Sequence, residues 1–207
     1  MKKLLSVFVL VVALLSCSRN AHLEFKGIPV TGSLKDFCSK LEAKGFVLDP
    51  METTANAVCM DGTLAGESIK AYIYSTPKTN TVYSVVAVIN VDRNDGIVET
   101  IIADEYKQWD QLTDKYFHLK DMLTDKYGAP ATCTEVMDPV YCQGNELTAL
   151  RNDKLTYRSD YKTDAGTIAI QIAQMEHSLF SRDYLVVLFY DDTQNCALHN
   201  KEIVDDL

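Results

Sequence analysis

The sequence predicts an α+β fold: two tandem units, each a helix followed by antiparallel strands, forming one sheet with helices packed on one face. Three observations lead there. Apolar side chains recur at steps of three and four over residues 34–44 and 106–127. Most of the remainder reads as β-branched or alternating runs of strand length, broken by Gly, Pro, Asn and Asp. No low-complexity stretch or long linker divides the 207 residues, so the strands are expected to share one continuous sheet.

The first helix follows a short alternation of Leu23, Phe25 and Ile28. Ser33, three residues before Asp36, fits a capping box, and Leu34, Phe37, Cys38 and Leu41 make one apolar face. Gly45 supplies the left-handed stop. Strands follow at residues 57–63, 68–75 and 81–91, with turns at Ala65-Gly66, Pro77–Asn80 and Arg93–Gly96. The second helix carries Tyr106, Trp109, Leu112, Tyr116, Leu119, Leu123 and Tyr127 along one stripe and stops at Gly128 and Pro130. Within it Leu112-Thr-Asp-Lys-Tyr116 recurs as Leu123-Thr-Asp-Lys-Tyr127; eleven residues are almost three turns, so both copies face the same way. Further strands are expected at 132–136, 155–163, 167–174 and 184–191, a short helix at 145–151 and a terminal helix at 193–206. The helix–strand order thus occurs twice, over residues 23–100 and 101–207, which suggests an internal duplication.

The start of the chain has a different character. Lys2 and Lys3 precede an apolar run from Leu4 to Leu15 that is too short to span a bilayer as a helix. This is the layout of a secretory signal peptide. The run ends in Leu14-Leu15-Ser16-Cys17, and here the chain resembles bacterial lipoproteins, whose signal ends in a lipobox of this form. The resemblance implies that residues 1–16 are removed, that Cys17 is acylated as the first mature residue, and that residues 17–22 form the tether. It also implies a cell-envelope location. Ser18, in place of an aspartate, points to the outer rather than the inner membrane. Several acyl chains, palmitate among them, would anchor the domain without a spanning helix. The element order is similar to the tandem-repeat β-lactamase-inhibitor proteins and the SmpA/OmlA-type lipoproteins, both of which act by binding proteins. The segments Lys26-Gly-Ile-Pro29 and Lys126-Tyr-Gly-Ala-Pro130 also resemble uncharacterised lipoproteins of gut anaerobes.

The composition excludes some functions. A net charge of −9 argues against a nucleic-acid partner, which Lys and Arg would have to hold. A 47% hydrophobic content excludes a disordered chain. With Cys17 given to lipid, five cysteines remain, and Cys38 and Cys59 fall on apolar faces as core residues. A tight turn at Met137-Asp138 would set Cys133 opposite Cys142, a possible disulfide in an exported protein. Cys196 and His199 share a helix face, but two ligands do not make a zinc site, so no metal or other cofactor is expected. No nucleophile motif or phosphate-binding loop occurs. Tyrosine is abundant, with eleven copies. Tyr72 and Tyr74 share one strand face, and Tyr157 and Tyr161 share another; these four form the candidate binding surface, on the sheet face away from the helices. The expectation is a non-enzymatic binding module, with the membrane as one partner and an envelope protein as another. The alternative is an envelope hydrolase working through carboxylates or through Cys196 and His199.

Overall fold

Two four-stranded meanders meet along a single seam. The computed structural model describes residues 21–54, 57–90, 101–178 and 181–205. The signal segment, Cys17 and the turn expected at Arg93–Gly96 lie outside the described residues.

The chain opens with a two-residue-per-strand hairpin, β1 (Glu24–Phe25) and β2 (Ile28–Pro29), and enters α1 (Leu34–Glu42). Ser33 caps the helix as the spacing predicts, its Oγ accepting from the Asp36 N–H at 3.2 Å. Phe37 and Leu41 are buried, and Gly45 takes φ +90 past the helix end. Four strands follow: β3 (Val47–Asp49), β4 (Ala57–Leu64), β5 (Glu67–Ser75) and β6 (Val82–Asn90). The second unit is α2 (Ile101–Tyr127), β7 (Thr132–Met137), the short α3 (Glu146–Arg151), β8 (Leu155–Lys162), β9 (Gly166–Ser178), β10 (Ser181–Asp192) and α4 (Thr193–Val204). The sequence anticipated the four helices and seven of the eight long-sheet strands; it showed the β1–β2 hairpin only as an apolar alternation, and β3 is too short to show a period.

All eight long-sheet strands are antiparallel to their neighbours, in the order β3-β4-β5-β6-β10-β9-β8-β7. The order reads as two consecutive meanders placed edge to edge. Only β6 and β10 join the halves, with Val88 opposite Val187 and Ala87 opposite Leu188. A smaller two-stranded sheet holds β1 and β2.

Side chains alternate across the sheet, so the register fixes two faces. Ile69, Ala71, Ile73, Val85, Ala87, Val186, Leu188, Ile168 and Ile170 point to one of them and are buried in the core. Leu112, Tyr116, Leu119 and Leu123 of α2 lie against that face, together with Phe37 and Leu41 of α1 and Leu147 and Leu150 of α3. Each such side chain contributes roughly 1.5–3 kcal/mol on full burial. The repeated Leu-Thr-Asp-Lys-Tyr word works as its spacing predicts: both leucines are buried and both tyrosines meet the core. Phe46 lies so close over Gly62 that a Cβ there would stand 2.4 Å from the ring. The glycine in β4 is therefore a packing requirement.

α4 leaves β10 through Asp192, which is fully buried. Its Oδ1 accepts from the Asn195 N–H at 3.0 Å, capping the helix. Its Oδ2 accepts from the Leu23 N–H at 2.9 Å and contacts His22 Nδ1 at 3.1 Å. One carboxylate thus ties His22 and Leu23 to the start of α4. α4 then runs past the start of β6, where His199 stacks on Tyr83 at 4.0 Å between ring centroids. No helix among the described residues is long and apolar enough to cross a membrane.

Candidate functional site

The register separates the four tyrosines expected to share a surface. Tyr72 pairs with Val86, Val86 with Phe189, Phe189 with Ala169, and Ala169 with Asp160. Asp160 therefore shares the face of Tyr72, and its neighbour Tyr161 points to the opposite one. Tyr161 is 1% exposed beneath α2, where its hydroxyl donates to the Lys120 carbonyl at 2.9 Å and meets Thr124 Oγ1 at 2.9 Å. Tyr157 lies on the same covered face, edge-on to Trp109, Tyr116 and Phe117 at 5.3–6.1 Å. Two of the four are core and helix-packing residues. Tyr72 and Tyr74 remain half-exposed on the other face, which α1, α2 and α3 leave uncovered.

Those two rings stand near the β3 edge of the sheet, and the connection from β3 to β4 completes a patch with them. Asp49 ends β3 and folds that connection: Oδ1 accepts from the N–H groups of Met51 at 3.0 Å and Glu52 at 3.3 Å. The Thr53 hydroxyl donates to the Asp49 carbonyl at 2.8 Å and accepts from the Cys59 N–H at 3.1 Å. Held this way, Met51 projects with 94% of its surface exposed, and Val47 in the adjoining strand is 65% exposed. The Tyr72 hydroxyl points to Glu52 Oε2 at 3.4 Å, and Tyr74 leans on Tyr83. Exposed methionine and tyrosine are residue types enriched at protein interfaces.

Charge rims the patch. Lys70 Nζ lies 2.5 Å from Asp49 Oδ2 and 3.4 Å from Asp61 Oδ1. Hydrogen bonding to Asp49 holds the Lys70 ammonium well above its ordinary range, and the same bond holds the Asp49 carboxyl below its own. Burial pushes the Tyr72 phenol up to about 12 and raises Tyr74 as well, so both stay neutral hydrogen-bonding rings at physiological pH. Cys59, paired with Tyr72 across the strands, is completely buried, and burial raises its thiol.

The remaining expected site residues fall elsewhere. Cys133 and Cys142 are both free and exposed. β7 pairs with β8, putting Cys133 opposite Ser159 and Met137 opposite Leu155, while the chain after Met137 leaves the sheet. No hairpin closes at Met137-Asp138, and the two thiols are unbridged in this structure. Cys142 Sγ instead accepts from Asn145 Nδ2 at 3.0 Å. Cys133 joins a polar cluster that sequence reasoning missed: Lys120 Nζ at 3.3 Å and Ser159 Oγ at 3.5 Å, with Lys120 ion-paired to Glu135. Tyr116 closes it, its hydroxyl 2.9 Å from Ser159 Oγ and 3.2 Å from Glu135 Oε1. Burial works against the Glu135 carboxylate, but the Lys120 ammonium outweighs it and holds the group below its ordinary value. Lys120 comes from α2 and Glu135 from β7, so no sequence spacing could reveal the pair.

No known family model matches this chain, and no curated protein or solved structure is similar to it.

The functional reading therefore rests on this chain's own geometry. For the hydrolase alternative, Cys196 donates to the Tyr83 carbonyl at 3.6 Å, and burial pushes its thiol up to about 11. A thiol so protonated is a poor nucleophile, and His199 stacks on Tyr83 without a hydrogen bond to Cys196 among the described residues. Among the described residues no three His, Cys, Asp or Glu side chains converge as a metal-binding group.

Proposed function

We propose that the chain is a cell-envelope lipoprotein, held at the membrane by acylated Cys17, whose folded domain binds an envelope protein through the surface around Met51, Val47, Tyr72 and Tyr74. The observation that carries the binding reading is Met51. A large apolar side chain left almost wholly in water, on a connection pinned by Asp49 and Thr53, is pre-organised for contact. Two half-exposed tyrosines beside it and a rim formed by Lys70, Asp61 and Glu52 follow the usual interface pattern of apolar centre and polar edge. The membrane reading is supported by the basic start, the short apolar run and Leu14-Leu15-Ser16-Cys17. Ser18, where an aspartate would signal inner-membrane retention, supports the outer membrane.

The test uses the full-length chain in its native membranes. A photo-crosslinking residue at position 51 is compared with one at Asp114, on the solvent side of α2. A discrete adduct from position 51 alone is expected. Identical adducts from both sites, or none from position 51, overturn the assignment. In the same cells Cys17→Ser is expected to leave the membrane fraction and to lose incorporated lipid label; retention of both overturns the anchor.

A further inference from the structure

On the helix-covered side, remote from the Met51 patch and independent of it, the β1–β2 hairpin, the β4–β5 turn, the end of α2 and β10 enclose a cleft of about 220 Å³. Its walls are apolar, with Leu64, Leu123 and Leu188 among them. Two features set it apart from a packing defect. Tyr190 lines it and is 6% exposed, yet its hydroxyl takes no hydrogen bond among the described residues. A phenol lining the cleft can donate its hydrogen bond to whatever occupies it. Burial also keeps it a neutral phenol, well above its ordinary ionisation range, and it lies close enough to Tyr127 for the two phenols to interact.

The second feature is the mouth. Lys26 and Lys126 both line it, and neither pairs with a carboxylate among the described residues. Lys126 rests over the Tyr127 ring, 4.8 Å from its centroid. Glu24 supplies one negative charge there against these two positive ones. Lys126 also offsets the partial negative charge at the end of α2, and among the lining side chains the cations outnumber the anion.

An apolar cavity of ~150 Å³ is enough to hold benzene. A cleft of 220 Å³ therefore suits one aromatic ring with a short substituent, or a chain of about six carbons. We propose that this cleft binds a small amphiphilic carboxylate: the apolar body lies among Leu64, Leu123 and Leu188, the acid group meets Lys26 and Lys126, and the Tyr190 hydroxyl donates to it. Each part of the site answers one part of such a molecule.

The experiment titrates the folded domain with hexanoate, hexanol and hexylamine, following backbone amide shifts by NMR. Hexanoate is expected to bind roughly tenfold more tightly than hexanol, with shifts centred on Leu64 and Lys126 and an affinity that falls with salt. The double variant Lys26→Asn and Lys126→Gln is expected to lose that tenfold advantage while still binding hexanol; asparagine tolerates the φ of +54 found at Lys26. Tyr190→Phe is expected to weaken hexanoate several-fold. Leu64→Trp, which fills the cleft from the turn, is expected to abolish binding of both. Unchanged amide spectra outside the cleft show that each variant is folded. Equal binding of hexanoate and hexanol, preference for the amine, shifts mapping elsewhere, or no binding at all overturns the proposal.

Discussion

Replacing Asp192 with alanine should cost the domain more than any single surface contact would suggest. The carboxylate is fully buried and serves two elements at once. Its Oδ1 caps α4 through the Asn195 N–H, and losing such a cap costs about 1 kcal/mol. Its Oδ2 accepts from the buried Leu23 N–H, which in the variant would have no partner, at a cost of about 1–3 kcal/mol. Together the loss is about 2–4 kcal/mol, and for a domain of this size each kcal/mol lowers Tm by roughly 2–4 °C. A Tm lower by about 4–16 °C is therefore expected, measured by circular dichroism on the untethered domain. Asp192→Asn should fall between, because it keeps the capping oxygen but can set an amide N–H against that of Leu23. A Tm shift below about 2 °C for the alanine variant would refute the reasoning, since neither hydrogen bond could then matter.

Further outcomes follow from other contacts. Gly62→Ala drives a Cβ into the Phe46 ring and should destabilise by about 1–3 kcal/mol in urea denaturation; adding Phe46→Leu should recover part of the loss, and a neutral Gly62→Ala would contradict the packing. Glu135 and Asp160 both have carboxyls held below their ordinary values, so the stability they give is complete above pH ~5 and is lost as pH falls through their native values. Tm should accordingly be flat near neutrality and drop on acidification, less steeply in Lys120→Gln; a rise in Tm on acidification would be incompatible with the ion pair. Cys133 and Cys142 should both react at once with a thiol reagent on the native protein, while Cys59 reacts only after unfolding, as peptide mass mapping would show. Protection of the first two would restore the disulfide.

The local devices were legible because they are written in adjacent residues. Ser33 with Asp36 and Gly45 delimit α1, and the three- and four-residue steps from Trp109 to Tyr127 define the buried stripe of α2. Alternation likewise gave the strands, and short turns gave their antiparallel order. What alternation cannot give is which face of one strand continues which face of another. Tyr72 with Tyr74, and Tyr157 with Tyr161, were each correctly grouped, but four strand pairings separate the two groups and turn them to opposite sides. The Cys133–Cys142 bridge failed for a related reason: β7 takes its partner from Leu155–Lys162, beyond an intervening helix, and not from the nearest residues. β3 escaped notice because Val47–Asp49 is stabilised by its neighbour β4 and by the Asp49 turn, not by a pattern of its own. The apolar pair Val47-Leu48, followed by Asp49-Pro50, was the one signal that could have found it, and with it the Met51 surface.

The single seam between β6 and β10 also bears on how the chain comes to be folded. Within each meander, neighbours in space are neighbours in sequence, and such contacts form quickly. Val88 and Val187, by contrast, are brought together from positions almost a hundred residues apart, and closing so long a loop slows the last step. Until it closes, the halves present two open, valine-rich edges that are complementary to each other. A second copy at high concentration can supply either edge. Refolding from denaturant should then yield exchanged dimers whose fraction rises with protein concentration, each using the same seam the monomer uses, made between chains.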